Sequence, residues 1–248
     1  MEPRIRVRRA QVRRQEGRRR LRVVVAVLVV VGTALAGWGA TRSPLLDVDR
    51  IVVEGAAQTG AATAARAAGV RRATPMVDVD EDAVRRRLDA LPWVRSVTVR
   101  REWPGTLRIG LVERAPVAIS PALNGGWALV DIEGRVLAWL STPIPGTLAI
   151  AGVPLAGPPG TTLTPAARGL LDVAQAVSPV LRPQIVAAAL DANGISLGLT
   201  SGGTILLGDP SDVVAKLRAA ELVLAGVDST NLAVLDVRLP GTPTVTRR

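Results

Sequence analysis

The stretch LPWVRSVTVRREWPGTLRIGLVERAPVA, Leu91 to Ala118, alternates twice. Val94, Val97 and Val99 stand against Arg95, Thr98 and Arg100, with a slip of phase near the start. Leu107, Ile109 and Leu111 then stand against Arg108 and Glu113. Side chains of a strand point alternately to its two faces, so each run predicts a strand with one buried face. Pro104-Gly105 between them predicts a turn, and the two runs a hairpin.

Working upstream, Val48 to Glu54 is β-branched and alternating, which predicts a strand ended by Gly55. Thr59 is placed to cap a short Ala-rich helix that stops near Gly69. Asp80 caps a second helix, with Glu81 and Asp82 in its first turn and Val84, Leu88 and Leu91 on one face, and Pro92 ends it. Residues 46–115 therefore read β-α-α-β-β, with the two helices covering one face of the sheet. Trp93 and Trp103 are assigned to packing within this module, since few other aromatics serve its core.

Downstream, Pro116 and Pro121 mark a boundary, and residues 116–240 form a second module. Trp127 to Asp131 and Arg135 to Trp139 make a hairpin across Glu133-Gly134. A short strand falls near Leu148 to Ala151. Thr164-Pro165 reads as a cap with proline at the first helical position, before a stripe of Leu170, Leu171, Ala174 and Val177. Strands at Ile185 to Leu190, Ile195 to Leu199 and Thr204 to Leu207 form a meander. A helix from about Ser211 buries Val213, Val214, Leu217, Ala220 and Leu224. Leu232 to Val237 is the final strand, and Gly241 to Arg248 reads as a polar, proline-broken, flexible tail. The fold class is α+β.

The N-terminal part has a different character. Residues 1–22 are a basic tail that includes Arg18, Arg19, Arg20 and Arg22, opposed only by Glu2 and Glu16. Val23 to Thr41 follows without a charge, and nineteen residues at ~1.5 Å each span roughly the hydrocarbon core of a bilayer. The arginines predict a cytoplasmic N-terminus and a single pass with the C-terminal modules outside, with anionic lipid as the partner of the tail. A cleaved signal peptide is the competing reading, and the basic region and apolar run are both long for one. Trp38 reads as an interfacial anchor. Gly32, Ala36 and Ala40 place small residues at helical spacing, a pattern that arises readily in so Ala-rich a segment.

Residues 1–42 hold eleven arginines and two glutamates, and so carry nine of the ten net positive charges. The external part is near neutral, which gives no footprint for nucleic acid. With no His, Cys or Tyr, the chain lacks Ser-His-Asp and Cys-His nucleophile systems, disulfides, and zinc or haem sites built on His or Cys. The Asp78, Asp80, Glu81 and Asp82 cluster reads as the start of a helix. The Gly-rich pieces lack phosphate-loop spacing. The sequence reads as a binding protein, with no cofactor, metal or small-molecule substrate expected.

Four pieces together resemble the FtsQ/DivIB family of bacterial cell-division proteins. They are the basic tail with one apolar helix, VDRIVVEGA from Val48, the Leu91–Ala118 stretch, and GGTILLGDPSDVVAKLRAAELVL from Gly202 with LAVLDVRLPGTPTV from Leu232. The resemblance covers essentially the whole chain. It implies a POTRA domain followed by the family's mixed α/β "β domain". It also implies a non-enzymatic scaffold in the plasma membrane, at the division septum, that binds FtsB- and FtsL-like bitopic proteins and connects them to the septal peptidoglycan synthase complex. Strand addition along the C-terminal edge would be the contact, and maps to Val234, Leu235, Asp236, Val237, Arg238, Leu239 and Val245, with Pro240 and Pro243 expected to interrupt or blunt that edge. The alternative is a POTRA-containing secretion or envelope-assembly component, although the chain holds one such module and no barrel strands. A hydrolase using Glu113 and Glu133 has nothing in their spacing to recommend it.

Overall fold

The computed structural model describes residues 21–39, 42–227 and 229–248. Arg18, Arg19, Arg20, Ala40 and Thr41 lie outside them. The first element, α1 (Leu21–Gly39), is exposed along its length and is the one described helix long and apolar enough to cross a membrane. It begins two residues before the charge-free run, so Arg22 sits exposed in its first turn.

The next module is a three-stranded sheet of β1 (Arg50–Glu54), β2 (Val94–Glu102) and β3 (Thr106–Glu113), in the order β1-β3-β2. β1 runs parallel to β3 and β2 antiparallel to it. The phase slip in the sequence is a register shift between Val94 and Ser96. Leu107, Ile109 and Leu111 are buried, as their period requires. Helices α2 (Ala61–Ala68) and α3 (Glu81–Asp89) cover the sheet through Ala64, Ala68, Val84 and Leu88. Asp80 caps α3 by accepting from the Ala83 amide at 2.9 Å. Thr59 does not cap α2: the N-cap is Gly60 at φ +79°, and the anion at this helix start comes from elsewhere. The Glu113 carboxylate accepts from the amides of Gln58, at 2.8 Å, and Thr59, at 2.7 Å. A carboxylate thus sits just ahead of the positive end of the helix, bonded to the two residues that lead into it.

The second module is one nine-stranded sheet in the order β12-β11-β10-β9-β8-β7-β4-β5-β6. Its strands are β4 (Pro116–Pro121), β5 (Trp127–Asp131), β6 (Val136–Leu140), β7 (Leu148–Ala151), β8 (Ile185–Asp191), β9 (Gly194–Leu199), β10 (Thr204–Gly208), β11 (Leu232–Asp236) and β12 (Thr244–Arg247). Pro116 and Pro121 are the two ends of an interior strand, where a missing N–H is tolerated, and not a spacer between modules. Helices α4 (Arg168–Ala176) and α5 (Val213–Gly226) pack on each other and on the sheet. Thr164 makes no capping bond, because a 3-10 turn at Pro165–Ala167 precedes α4. Val214 is 70% exposed, and Lys216 takes a buried place on α5 instead. Its ammonium donates to the Asp209 carbonyl at 2.9 Å and lies 3.3 Å from the Asp209 carboxylate. Salt of this kind lets a long aliphatic stem fill apolar space.

The two modules meet where β3 passes into β4. Arg114 donates to the Val94 carbonyl at 3.0 Å, to Asp131 at 2.6 Å and to Glu133 at 2.7 Å. The other oxygen of buried Asp131 accepts the amides of Glu133 and Arg135, so this aspartate shapes the β5–β6 turn. In the opposite direction, Arg135 reaches the Ala90 carbonyl at 3.2 Å. Arg95 adds a looser pair to Glu133 at 3.5 Å. Bonding to Arg114, against some opposing burial, holds the Glu133 carboxyl below its ordinary value.

Arg114→Met leaves Asp131 buried without its counter-charge, and is expected to lower the unfolding free energy by about 3 kcal/mol in denaturant titration. Arg114→Lys recovers only part, lacking the planar fork. Burial opposes the charge on Glu113, but the amides of Gln58, Thr59 and Ala57 outweigh it and hold its carboxyl below the ordinary 4.5. Its contribution is therefore complete above 4.5 and disappears as the pH falls through the lower folded value. Acid unfolding of Glu113→Gln followed by circular dichroism should show a shallower dependence on pH in that range.

Candidate partner-binding edge

A nine-stranded sheet has two outer strands, and here they are finished differently. The outer side of β6 is covered by the 157–163 loop. The Val136 amide donates to the Thr161 carbonyl and the Gly160 amide to the Val136 carbonyl, both at 2.8 Å. Trp139 donates through its indole Nε1 to the Gly157 carbonyl at 2.9 Å. The loop thus covers that outer strand, with its main-chain bonds concentrated at Val136.

β12 at the other end has no such cover among the described residues. It lies antiparallel to β11, with Leu235 opposite Val245 and Asp236 opposite Thr244, and all four of its residues are exposed. Along an antiparallel strand, alternate residues turn their N–H and C=O groups away from the neighbour, so β12 presents unpaired backbone groups outward. The expected flexible tail is thus the terminal strand of the sheet. Its side chains are Thr244, Val245, Thr246 and Arg247, followed by Arg248.

This moves the predicted edge by one strand. β11 is paired on both sides, with β10 and with β12, and cannot itself accept a new strand. Leu235 and Val237 are fully buried core residues, and Val234 is half-buried. Asp236 and Arg238 pair at the exit of β11: Arg238 Nη2 lies 2.6 Å from Asp236 Oδ2, and the Arg238 amide donates to Oδ1 at 3.0 Å. That guanidinium, against partial burial, holds the Asp236 carboxyl below its usual range. Leu239 is exposed in the connection, where the Thr242 amide bonds its carbonyl. Pro240 and Pro243 also lie in this connection, so neither removes a donor from β12. Of the seven expected residues, Val245 alone stands on the open strand. Thr244, Thr246 and Arg247 share that strand, and the β-branched run Thr244-Val245-Thr246 was the available signal for it.

The shorter sheet offers a weaker candidate. Its outer strand β2 carries Arg95, Arg100 and Arg101 and a register shift, features that discourage pairing. Carboxylates once considered for hydrolysis are engaged structurally: Glu113 at α2, and Glu133 with Arg114. Asp78, Glu81 and Asp82 pair with Arg42, Arg101 and Arg85.

Comparison with known proteins agrees with this division of the chain. Residues 46–114 match the model of the FtsQ-type POTRA domain, and residues 122–238 that of the Cell division protein FtsQ/DivIB C-terminal region. β12 lies just beyond the second match. Proteins named Cell division protein FtsQ are similar over most of the chain. That of Mycolicibacterium smegmatis is 31% identical across 89% of this chain and 63% of its own length. That of Corynebacterium glutamicum is 30% identical across 82% and 89%, and that of Streptomyces bingchenggensis 30% across 93% and 90%. The chain thus spans a little under two thirds of the mycobacterial relative.

Amide hydrogen exchange should separate the two edges. The Val136 amide is expected to exchange at least ~100-fold more slowly than the outward-facing amides of residues 244–247, as paired and unpaired backbone differ.

Proposed function

The chain belongs to the FtsQ/DivIB family of bacterial cell-division proteins, and from that premise we propose that it is a bitopic, non-enzymatic scaffold which captures a partner strand along β12. The supporting observation is the asymmetry of the large sheet, closed at β6 and open at β12. An incoming segment gains main-chain hydrogen bonds along the open strand, while the side chains on either face select the partner. Arg247 and Arg248 favour a segment with acidic residues, and Val245 and the two threonines favour β-branched ones. FtsB- and FtsL-like bitopic proteins are the proposed partners, and through them the septal peptidoglycan synthase complex.

In this reading α1 crosses the plasma membrane with its N-terminus in the cytoplasm. The arginines that precede it, Arg22 among them, hold that orientation and meet anionic lipid. The two modules then stand outside the membrane at the division site.

Two tests follow. Deleting residues 244–248 should weaken binding of soluble FtsB/FtsL-like ectodomains at least tenfold, about 1.4 kcal/mol, while β11, the new outer strand, keeps the fold intact by circular dichroism. Undiminished binding would sink the β12 assignment. Leu235→Lys is a poor probe, because it unfolds the core before it reports on contact. In the host, an N-terminally tagged chain should form a ring at mid-cell before constriction, and its depletion should block septation. Uniform envelope signal with normal septation would leave the envelope-assembly reading in its place.

A further inference from the structure

Trp103 was expected in the core and is 52% exposed, at the tip of the β2–β3 hairpin. Its position relative to α1 is what gives that exposure meaning. The Asp49 amide donates to the Gly105 carbonyl at 2.8 Å, so the hairpin tip lies against the segment that leaves α1. That segment is short and folded back. The Arg42 amide bonds the Gly39 carbonyl, and the Leu46 amide the Ser43 carbonyl. The Arg42 guanidinium lies 4.7 Å over the Trp38 ring and 3.1 Å from Asp78, tying the last turn of α1 to the 76–78 turn. Leu45 in this stretch is 80% exposed.

The 71–75 segment leads into the same turn and is laced to the exit. Val48 donates to the Thr74 carbonyl at 2.8 Å, and Ala73 to the Val48 carbonyl at 3.0 Å. It carries Arg71 and Arg72, both exposed and without an ion-pair partner among the described residues. The acidic groups of this end are Asp78, engaged by Arg42, Asp47, which is half-buried, Asp49, held against Gly105, and Glu102, paired with Arg108. An indole, a leucine and two free guanidiniums thus crowd the one end of the module that its own membrane helix holds at the bilayer. Tryptophan and arginine are the residues that partition to the layer of lipid phosphates and glycerol esters.

We propose that this end of the β1–β3 module is a second membrane contact. Trp103 and Leu45 enter the headgroup layer of the leaflet that α1 leaves, and Arg71 and Arg72 bind its lipid phosphates. The proposal rests on α1 being a membrane anchor, but not on which partner β12 takes. Docking restricts the swing of the module relative to α1, and so sets the distance of the large sheet from the membrane.

The test uses the full chain in nanodiscs of phosphatidylcholine doped with phosphatidylglycerol, and follows amide hydrogen exchange in residues 70–75 and 101–106. All the side chains changed are exposed, so Arg71→Glu with Arg72→Glu, and separately Trp103→Ser, should melt like the parent chain. Exchange in both segments should rise in each variant, in the arginine pair by about fivefold for each arginine removed, with residues 127–131 unchanged as an internal reference. Parent and variants exchanging alike would overturn the proposal. Equal protection surviving in both variants would overturn it too, since another face would then be in contact. A chain that fails to enter nanodiscs and is extracted by alkaline carbonate would refute the anchor itself.

Discussion

Arg114 is the group on which the arrangement of the molecule turns. It follows the last residue of β3 by one position, yet its guanidinium is spent on the β5–β6 turn of the next module. An exposed ion pair would hold this joint weakly, since water competes for both partners. Here Asp131 is buried, and the same carboxylate that receives Arg114 also receives two amides of its own turn. Loss of the guanidinium therefore strains the turn as well as the joint. Glu113, its neighbour, points the other way and fixes the start of α2. Two consecutive charged residues thus orient one module internally and the second module against the first.

That rigidity gives the finish of the large sheet its importance. Strand addition needs a free row of backbone groups, and a partner that is also tethered to a membrane needs that row at a fixed place. β12 is far along the chain from α1, but few described joints separate them: the exit at Arg42 and the Arg114 contact. The first is braced by Arg42, which touches Trp38 and Asp78 together. The second is braced in both directions, by Arg114 and Arg135. Arginine supplies the bracing at both, in a chain with a single lysine.

Much of this was legible in the sequence where a period could be read. The alternation in Leu91–Ala118 located β2, β3 and even the register shift near Val94. The four residues of β7 were identified at both ends. What escaped depended on partners rather than on period. β12 is four residues long, polar on both faces and close behind two prolines, and only the unpaired side of β11 makes it a strand. Lys216 was passed over because its charge conceals a stem long enough to be buried. Thr59 lost the capping role because the helix is capped one residue later, at Gly60, and a carboxylate 54 residues away holds the amides that lead into it. Trp103 was assigned to the core on scarcity of aromatics, but the tip of a hairpin lies beyond the reach of the core that its strands build.

The loop over β6 has a consequence for assembly. In polymer terms, a sheet that takes a strand at β12 as proposed, and is covered at the Val136 end of β6, would act as a chain terminator. Indefinite head-to-tail growth by this sheet requires two open ends, and the Val136, Gly160 and Thr161 bonds remove one. Under the proposed strand capture, pairing through β12 is accordingly a one-to-one event, whether the second strand comes from a different protein or from another copy. A scaffold working as proposed could be concentrated on a crowded membrane and still count its partners.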